Sequence, residues 1–374
     1  MNPKIWLSSP HMGGNEQRYI DEAFKSNWIA PLGPNVTGFE ADIESYLGQN
    51  SHATAVSSGT AALHLGLMLL NVGPEDEVIC QSKTFAASAN PITYLGASPI
   101  FVDSETETWN LSPELLEEAI KDRIAKGKRP KAIVTVHLYG MPYMVNEIHG
   151  IASRYEIPII EDSAEALGSS YQNQKCGTFG TISILSFNGN KIITTSGGGA
   201  LISKTPSLNE KALFLATQAR DNTPEYHHTS IGYNYRMSNV LAGIGRGQME
   251  VLEERIALRR SNYHLYHSAL KGINQLSFLE EPTSYLSNRW LTCFLTDSEA
   301  TREGLRMYLA EQNIESRPLW KPMHLQPVYQ KCPAYINGVS EDLFKRGLCI
   351  PSGSNLTENE LNRVILAIKM YFRV

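Results

Sequence analysis

The sequence predicts an α/β protein, with a mostly parallel sheet in a large domain and a smaller α+β domain at the C-terminal end. From about residue 53, short apolar runs alternate with helical stretches, which is the pattern of βαβ units. A chain of 374 residues is long enough to bury both cores. A long charged segment near residue 250 then separates two regions of different pattern. We therefore expect one domain over residues 1–245 and a second over residues 246–374.

The strands and helices of the large domain follow one another in turn. Apolar runs predict strands at residues 53–58, 77–80, 99–102, 132–136 and 157–160. Between them, Ala- and Leu-rich or otherwise helical segments predict helices at residues 61–70, 85–95, 113–126 and 145–155. Ser112 and Pro113 favour the start of the third helix as an N-cap and a first-turn proline. In such sheets ligands gather at the carboxyl ends of strands, so chemistry is expected there.

The C-terminal region mixes both kinds of element. Residues 239–270 predict one long, charged, amphipathic helix that leads from the large domain into the smaller one. Beyond it, residues 290–294 form a strand-like run, and residues 301–312 and 357–371 predict helices. This mixture is typical of an α+β domain.

Composition narrows the classes of function. Hydrophobic residues make up 42% and charged residues 19%, the balance of an ordinary soluble globular protein. A net charge of −5 gives no general reason to expect nucleic acid or a membrane as partner. No signal peptide or membrane-spanning apolar run is apparent, and five scattered cysteines indicate neither a disulfide framework nor a metal site. We expect a cytoplasmic protein.

Two strand ends carry side chains suited to cofactor chemistry. Asp162 ends an apolar strand, where it could cap a helix, bind a metal or keep a pyridinium nitrogen protonated. Lys191 follows the apolar run 182–185 and a turn. A single lysine there is usually solvated, but a lysine held beside an aldehyde can form an imine. Neither residue decides the function by itself.

Three turns could complete such a site. Residues 57–60 (Ser-Ser-Gly-Thr) lie between a strand and a helix, where free N–H groups and the helix dipole bind phosphate, although a plain capped helix start has the same sequence. Phe85 could stack on a flat cofactor or belong to the core. The glycine-rich residues 194–199 lack the ending of a P-loop and predict a close-packed turn beside Lys191.

Taken together, these motifs are similar to the DegT family of sugar aminotransferases. The resemblance runs from about residue 28 to residue 356 and rests on five segments, which are Ser58-Gly-Thr-Ala-Ala-Leu63, Thr84-Phe85, Glu161-Asp-Ser-Ala-Glu165, Ser186-Phe-Asn-Gly-Asn-Lys191 and Gly232-Tyr-Asn-Tyr-Arg-Met-Ser-Asn239. It implies the aspartate-aminotransferase fold (fold type I), with a mostly parallel seven-stranded sheet. It also implies pyridoxal 5′-phosphate as cofactor, which becomes pyridoxamine 5′-phosphate during the cycle, and a homodimer that shares its active sites.

The resemblance assigns roles to individual positions. Lys191 resembles the Schiff-base lysine and proton carrier, Asp162 the partner of the ring nitrogen, and Phe85 the stacking ring. Other positions resemble residues that bind the cofactor phosphate, namely Gly59, Thr60, Ser186 and, toward the neighbouring subunit, Asn234. Glu165 stands where many members have glutamine, and we expect it near the phenolic oxygen of the cofactor.

The same resemblance suggests a substrate. Residues 28–34, 317–326 and 350–355 are similar to the branch that aminates UDP-4-keto-6-deoxy-N-acetylhexosamine at C4, with L-glutamate as donor and 2-oxoglutarate as by-product. A diphosphate needs cations and a sugar favours an aromatic ring, for which the candidates are Trp28, Arg317, Trp320, Lys321 and His324. A proline-stiffened surface loop with solvated charges would show the same residues.

Alternatives stay open at this point. A 3-keto-sugar, or a GDP- or dTDP-linked 4-keto-sugar, would suit the same cofactor site. One branch of the family has histidine in place of the lysine and removes a hydroxyl group, and Lys191 argues against that reaction. A regulatory protein that binds the cofactor without turnover is the non-enzymatic alternative.

Overall fold

The computed structural model describes residues 3–374, and these residues form three sheets. The strands in chain order are β1 His52–Val56, β2 Glu77–Gln81, β3 Ser98–Val102, β4 Ala132–Val136, β5 Ile159–Asp162, β6 Ser170–Tyr171, β7 Gln174–Lys175, β8 Ile182–Ser186, β9 Gly199–Ser203, β10 Leu276–Phe278, β11 Tyr285–Leu286, β12 Thr292–Thr296, β13 Arg317–Pro318, β14 Ala334–Tyr335 and β15 Gly347–Ile350.

Twelve α-helices accompany the strands within the same residues. They are α1 Glu16–Lys25, α2 Pro34–Leu47, α3 Gly59–Leu69, α4 Asn90–Tyr94, α5 Pro113–Ala125, α6 Val145–Arg154, α7 Pro206–Ala216, α8 Asn239–Met249, α9 Leu252–Leu270, α10 Glu299–Glu311, α11 Val339–Arg346 and α12 Glu358–Phe372. Ser112 caps α5 through its hydroxyl, which accepts a hydrogen bond from the N–H of Leu115, as the sequence predicts.

The large sheet is mostly parallel, which confirms the predicted fold class. Its strand order is β1-β9-β8-β5-β4-β2-β3-β14, and only β9 runs antiparallel to its neighbours. Seven strands come from the first 203 residues. The eighth, β14, is a two-residue addition from the C-terminal region that pairs with β3 and covers an otherwise open edge.

Helices cover both faces of this sheet. On one face α3 and α7 bury Leu63 and Leu215 against strand residues such as Ile160 and Ile182. On the other face α5 and α6 pack against the inward side chains of β2 to β5. Because both faces are buried, the strands are nearly continuous apolar runs, which is why they could be predicted from sequence.

The structure corrects three predicted elements. The helix expected at residues 85–95 is a 3₁₀ turn, Ala86–Ser88, followed by α4; Pro91 lacks the N–H that a continuous helix needs. The helix expected at residues 239–270 is two helices, because Val251 leaves helical geometry at φ −115° and ψ 7°. The strand expected at residues 290–294 is β12, which begins two residues later.

The C-terminal region builds a second core around a four-stranded antiparallel sheet. The strand order is β10-β12-β15-β13, and α10, α12 and the end of α9 pack on it. Ile5, near the N-terminus, joins this core and forms a bridge with Ile314. Over residues 3–374, none of the helices is both long and apolar enough to cross a membrane.

Candidate active site

A cavity of about 380 Å³ opens at the carboxyl ends of β2, β5 and β8. Parallel strands bring their ends to the same edge of the sheet, so residues far apart in sequence meet there. Eight of the predicted site residues line this cavity, namely Gly59, Thr60, Phe85, Asp162, Glu165, Ser186, Lys191 and Trp320.

Asp162 is the buried carboxylate at the end of β5. Its Oδ2 accepts a hydrogen bond of 2.6 Å from the hydroxyl of Ser88, and its Oδ1 accepts one of 3.1 Å from the N–H of Ala164. Burial raises the pKa of Asp162, and these hydrogen bonds together with the charge of Lys191 oppose the rise. A cation placed against this carboxylate would be held strongly, because little water competes for it.

Glu165 is the second buried carboxylate of the site and lies next to the amine of Lys191. Its Oε1 is 3.6 Å from Nζ of Lys191, and its Oε2 accepts a hydrogen bond of 2.6 Å from the N–H of Tyr139. Burial raises the pKa of Glu165 to about 7, against the opposing charge of Lys191. Tyr139 adopts a left-handed conformation (φ 54°), which is uncommon for a residue with an aromatic side chain.

Lys191 itself reaches into the cavity from the turn that follows β8. Its side chain is 12% exposed, and Nζ lies 4.2 Å from the centre of the Trp290 ring. The main chain of the turn is fixed by neighbours, since the carbonyl of Asn190 accepts hydrogen bonds from Trp290 and Ser8. The amine is therefore confined but reachable from the cavity.

The turn before α3 is shaped to bind an anion. Ser58 caps the helix by accepting a hydrogen bond of 3.0 Å from the N–H of Ala61. Gly199 packs so closely that a Cβ there would lie 2.4 Å from the nitrogen of Gly59. The cradle therefore depends on the absence of a side chain, which confirms the close-packed turn predicted beside Lys191. The helix N-terminus and the hydroxyls of Thr60 and Ser186 face one cavity wall.

Two aromatic rings form the outer wall. Phe85 is 56% exposed, so it is not a core residue, and its ring centre lies 5.5 Å from that of Trp320. The amide of Trp320 donates to the hydroxyl of Tyr139 at 2.9 Å, and its carbonyl accepts from the buried amine of Lys83 at 2.8 Å. The wall can therefore cover a flat ring bound in the cavity.

A second cavity, of about 530 Å³, adjoins the first and shares Asn190, Trp290 and Trp320 with it. Arg317 lines this second cavity, with its guanidinium 2.9 Å from the carboxylate of Glu315. Trp6 adds an exposed aromatic ring on the same side. The two cavities together offer room for a ligand much larger than an amino acid.

Four predicted residues lie outside both sets of lining side chains. His324 is bonded to the hydroxyl of Ser82 at 2.7 Å and lies 3.4 Å from Glu341, so its ring fixes a loop. The other three, which remain predictions, are exposed on this chain, and they are Trp28, Lys321 and Asn234.

Glu161, next to the site, is a structural carboxylate. Burial acts to raise its pKa, but the hydrogen bond from His137 at 2.7 Å and the other donors outweigh burial and lower the pKa to about 2. His137 and Cys176 stand within ligand distance of it, yet its oxygens already accept hydrogen bonds from Ser163, Ser183, Gly177, Phe179 and Gly180. This cluster fixes the strand end that carries Asp162.

Three residues of the site were not singled out by sequence reasoning. Ser88 lies three residues after Phe85, and its separation of 74 residues from Asp162 gives no sign of their contact. Tyr139 contributes its N–H to Glu165 and its hydroxyl to Trp320, and it lies outside every motif named above. Trp290 was assigned to a strand, but the structure places it just before β12, beside Lys191.

The donor set fits pyridoxal 5′-phosphate. The glycine-lined turn suits the phosphate, Asp162 suits a protonated ring nitrogen, Phe85 suits the ring face, and Nζ of Lys191 suits the aldehyde. When bound, this cofactor supplies an electron sink that stabilises a carbanion next to nitrogen.

Comparisons with known proteins agree with this geometry. The pattern of the DegT/DnrJ/EryC1/StrS aminotransferase family matches residues 10–369. EpsN of Bacillus subtilis (strain 168), provisionally named a pyridoxal phosphate-dependent aminotransferase, is 51% identical over 98% of this chain and 95% of its own. GDP-perosamine synthase of Escherichia coli O157:H7 is 37% identical over 98% of both chains.

A solved structure of another protein is also similar to this chain. Spr1654 of Streptococcus pneumoniae, provisionally named a sugar aminotransferase, superposes with a TM-score of 0.90 at 25% identity over 99% of both chains, in its PLP-form and its PMP-form. These likenesses confirm the predicted family, the fold type I architecture and the cofactor. The chain belongs to the DegT/DnrJ/EryC1/StrS aminotransferase family and is a pyridoxal-phosphate-dependent sugar aminotransferase.

Proposed function

We propose that this enzyme moves an amino group from L-glutamate to the C4 ketone of a nucleotide-linked 4-keto-6-deoxy sugar. UDP-4-keto-6-deoxy-N-acetylhexosamine is the first substrate to test. The observation that carries the proposal is the meeting of Lys191 and Asp162 in one cavity, with a second cavity beside it for the rest of a large substrate.

Each residue has a task in the two half-reactions. With the cofactor bound, Asp162 would hold the charge of the ring nitrogen and so keep the ring able to accept electrons. Nζ of Lys191 would take the proton from the α-carbon of glutamate and pass it to the cofactor, and water would then release 2-oxoglutarate while the nitrogen stays on the cofactor. In the second half-reaction the keto sugar would take up that nitrogen with loss of water, and Nζ of Lys191 would return the proton from the cofactor to the sugar carbon. The face from which Lys191 approaches that carbon sets the configuration of the new amine.

The second cavity supports a sugar nucleotide over a simple keto acid. The side chain of Arg317 is 68% exposed, so its guanidinium can leave Glu315 at a small cost in free energy and pair with a diphosphate. Trp6 and Trp320 offer flat surfaces for a sugar or a base. Asn234, exposed on this chain, would reach the cofactor phosphate of the neighbouring subunit in a homodimer. Trp28 and Lys321, also exposed, remain candidates for contact with the substrate.

One relative favours a different nucleotide. The GDP-perosamine synthase at 37% identity aligns over almost the whole chain, so a GDP-linked 4-keto sugar is the second candidate. Both candidates share the same reaction at C4 and the same cofactor residues. They differ only in what the second cavity must bind.

A substrate panel separates the candidates. The purified enzyme is supplied with ¹⁵N-glutamate and, in turn, UDP-, GDP- and dTDP-linked 4-keto-6-deoxy sugars and a 3-keto sugar, and ¹⁵N in the product is measured by mass spectrometry. The proposal predicts the highest kcat/KM with a 4-keto sugar. Equal or greater activity with the 3-keto sugar would overturn the assignment to C4. A higher kcat/KM with the GDP-linked than with the UDP-linked 4-keto sugar would identify the GDP-linked sugar as the substrate.

A further inference from the structure

The amine of Lys191 lies close to two groups. The carboxylate of Glu165 is 3.6 Å from Nζ, and Nζ stands over the ring of Trp290, 4.2 Å from the ring centre. Trp290 is 2% exposed, so water does not compete for this face. An ammonium group so placed is attracted by both the carboxylate and the ring.

Trp290 also fixes the turn that carries the lysine. Its indole N–H donates to the carbonyl of Asn190 at 2.7 Å, one residue before Lys191. One side chain thus contacts both the main chain of the turn and the end of the lysine. Displacement of Trp290 would move both together.

Trp290 is itself held from several directions. Its main-chain N–H donates to the side-chain oxygen of Asn288 at 2.9 Å, and its carbonyl accepts a hydrogen bond from Arg259 at 2.6 Å. Arg259 is a buried guanidinium that also reaches the carbonyl of Lys191 at 3.4 Å. The ring of Tyr139 stacks against the ring of Trp290 with an interplanar angle of 20°. The indole is therefore a rigid surface.

A rigid ring face beside Lys191 can assist the proton transfers of the reaction. During each half-reaction the amine is detached from the cofactor and carries a proton from one carbon to another. While it carries that proton it is an ammonium ion. A site that attracts an ammonium ion within reach of the cavity keeps the carrier close and correctly oriented, and a small misplacement would slow transfer severely.

Building on the proposed function, we propose that Trp290 is a positioning residue whose ring face holds the detached amine of Lys191 and whose indole N–H fixes the turn beneath it. The ring and the N–H can be separated by substitution. Trp290→Leu removes both, whereas Trp290→Phe keeps an aromatic face and removes only the N–H.

The first test is the primary isotope effect with glutamate deuterated at its α-carbon, in fully loaded enzyme. For Trp290→Leu we expect the glutamate half-reaction to slow about 10-fold, within the range of a desolvated cation–π contact, and the isotope effect to rise because proton transfer becomes rate-limiting. Trp290→Phe should show an isotope effect between those of the unsubstituted enzyme and Trp290→Leu, because it keeps the aromatic face and loses the hydrogen bond to the carbonyl of Asn190. A role confined to stability would lower the amount of loaded enzyme and leave the isotope effect unchanged.

The second test does not use turnover. The enzyme is converted to its pyridoxamine form, in which Lys191 is detached, and labelling of Lys191 by an amine-reactive reagent is followed by peptide mass spectrometry. We expect faster labelling in Trp290→Leu and protection in Trp290→Phe. An unchanged isotope effect and unchanged labelling in Trp290→Leu, or equal loss of protection in both variants, would overturn the inference. The unsubstituted enzyme is assayed in the same series, so that failure of the proposed function appears there and failure of this inference appears only in the variants.

Discussion

Asp162 and Glu165 are two buried carboxylates that face one cavity with different surroundings. Asp162 receives hydrogen bonds from Ser88 and Ala164, whereas Glu165 receives one from Tyr139 and lies next to the amine of Lys191. The first environment suits a lasting negative charge opposite a cationic ring. The second suits a group that can share a proton with its neighbours.

Asp162→Asn tests the first carboxylate. We expect kcat to fall roughly 10- to 100-fold or more, because a neutral amide cannot hold the charge of the ring nitrogen and a hydrogen bond to a charged group is worth about 1.5–3 kcal/mol. Steady-state kinetics and circular dichroism measure activity and fold. Asp21→Asn, on the exposed face of α1, is the matched control. Normal turnover in Asp162→Asn would remove this residue from the mechanism.

Glu165→Gln tests the second carboxylate through stability. Because burial raises the pKa of Glu165 from 4.5 to about 7, the folded state binds the proton more tightly than the unfolded state. The stability that Glu165 contributes by binding this proton is complete below pH 4.5 and is lost as pH rises through 7. Glutamine does not titrate. As pH rises from 4.5 through 7, the free energy of unfolding of the variant should therefore increase relative to that of the unsubstituted protein, by at most about 3 kcal/mol.

Urea denaturation of cofactor-free protein between pH 5 and pH 8 measures that difference. Titrating groups that do not interact with Glu165 are common to both proteins and cancel in the comparison. A stability difference that stays constant over this range would show that the pKa of Glu165 is not raised.

Residues of the site differ in how well sequence foretells them. Asp162, Lys191 and Phe85 follow predicted strands, so the topology of a parallel sheet brings them together without further information. Trp290 and Arg259 reach the turn of Lys191 from 100 and 68 residues away. Their contacts depend on how the C-terminal region packs, which no local pattern contains.

At the scale of elements, the meeting of α3 with β9 shapes the anion site. Gly199 begins β9 and lies against the turn before α3, where a Cβ would come within 2.4 Å of main-chain atoms of Gly59 and Ser58. The close approach of these two elements leaves N–H groups free to face the cavity.

Gly199→Ala should push the two elements apart. We expect the dissociation constant of the cofactor to rise roughly 10-fold, since one lost hydrogen bond to a charged group costs about 1.5 kcal/mol or more. Gly150→Ala, where a Cβ would meet no atom within 4 Å, is the control. Equilibrium dialysis with the cofactor measures both; equal affinities would contradict the role of this contact.

Elements also show where local patterns stop being sufficient. The strands β1 to β5 were predicted to within about two residues because burial on both faces leaves an apolar signature. The two-residue strands β13 and β14 were not, since their pairing partners decide their conformation. Pro91 interrupts the first of the two corrected helices, and a departure from helical geometry at Val251 divides the second.

At the scale of the whole molecule, the proposed homodimer makes the active site a joint property of two chains. Asn234 is exposed and lies outside the cavity of its own chain, next to Tyr235, whose carbonyl accepts a hydrogen bond of 2.7 Å from Ser57. This position, beside the anion-binding turn but facing outward, suits contact with a second copy.

Subunit complementation tests this arrangement. Lys191→Ala and Asn234→Ala should each be nearly inactive as separate dimers. After the two are unfolded, mixed in equal amounts and refolded, half of the dimers are hybrids with one intact site, so activity should return to about a quarter of the unsubstituted value. No recovery, with hybrid formation confirmed by native mass spectrometry, would contradict a shared site.

We propose that Lys191 binds the cofactor and carries the amino transfer. The absorbance spectrum of the purified protein, recorded before and after L-glutamate and then after UDP-4-keto-6-deoxy-N-acetylhexosamine, tests this proposal. We expect a visible band from the lysine-bound cofactor that fades with glutamate, returns with the keto sugar and is missing in Lys191→Ala. A protein that shows no band after pyridoxal 5′-phosphate is added, or a Lys191→Ala variant with the same band and cycle, would contradict it.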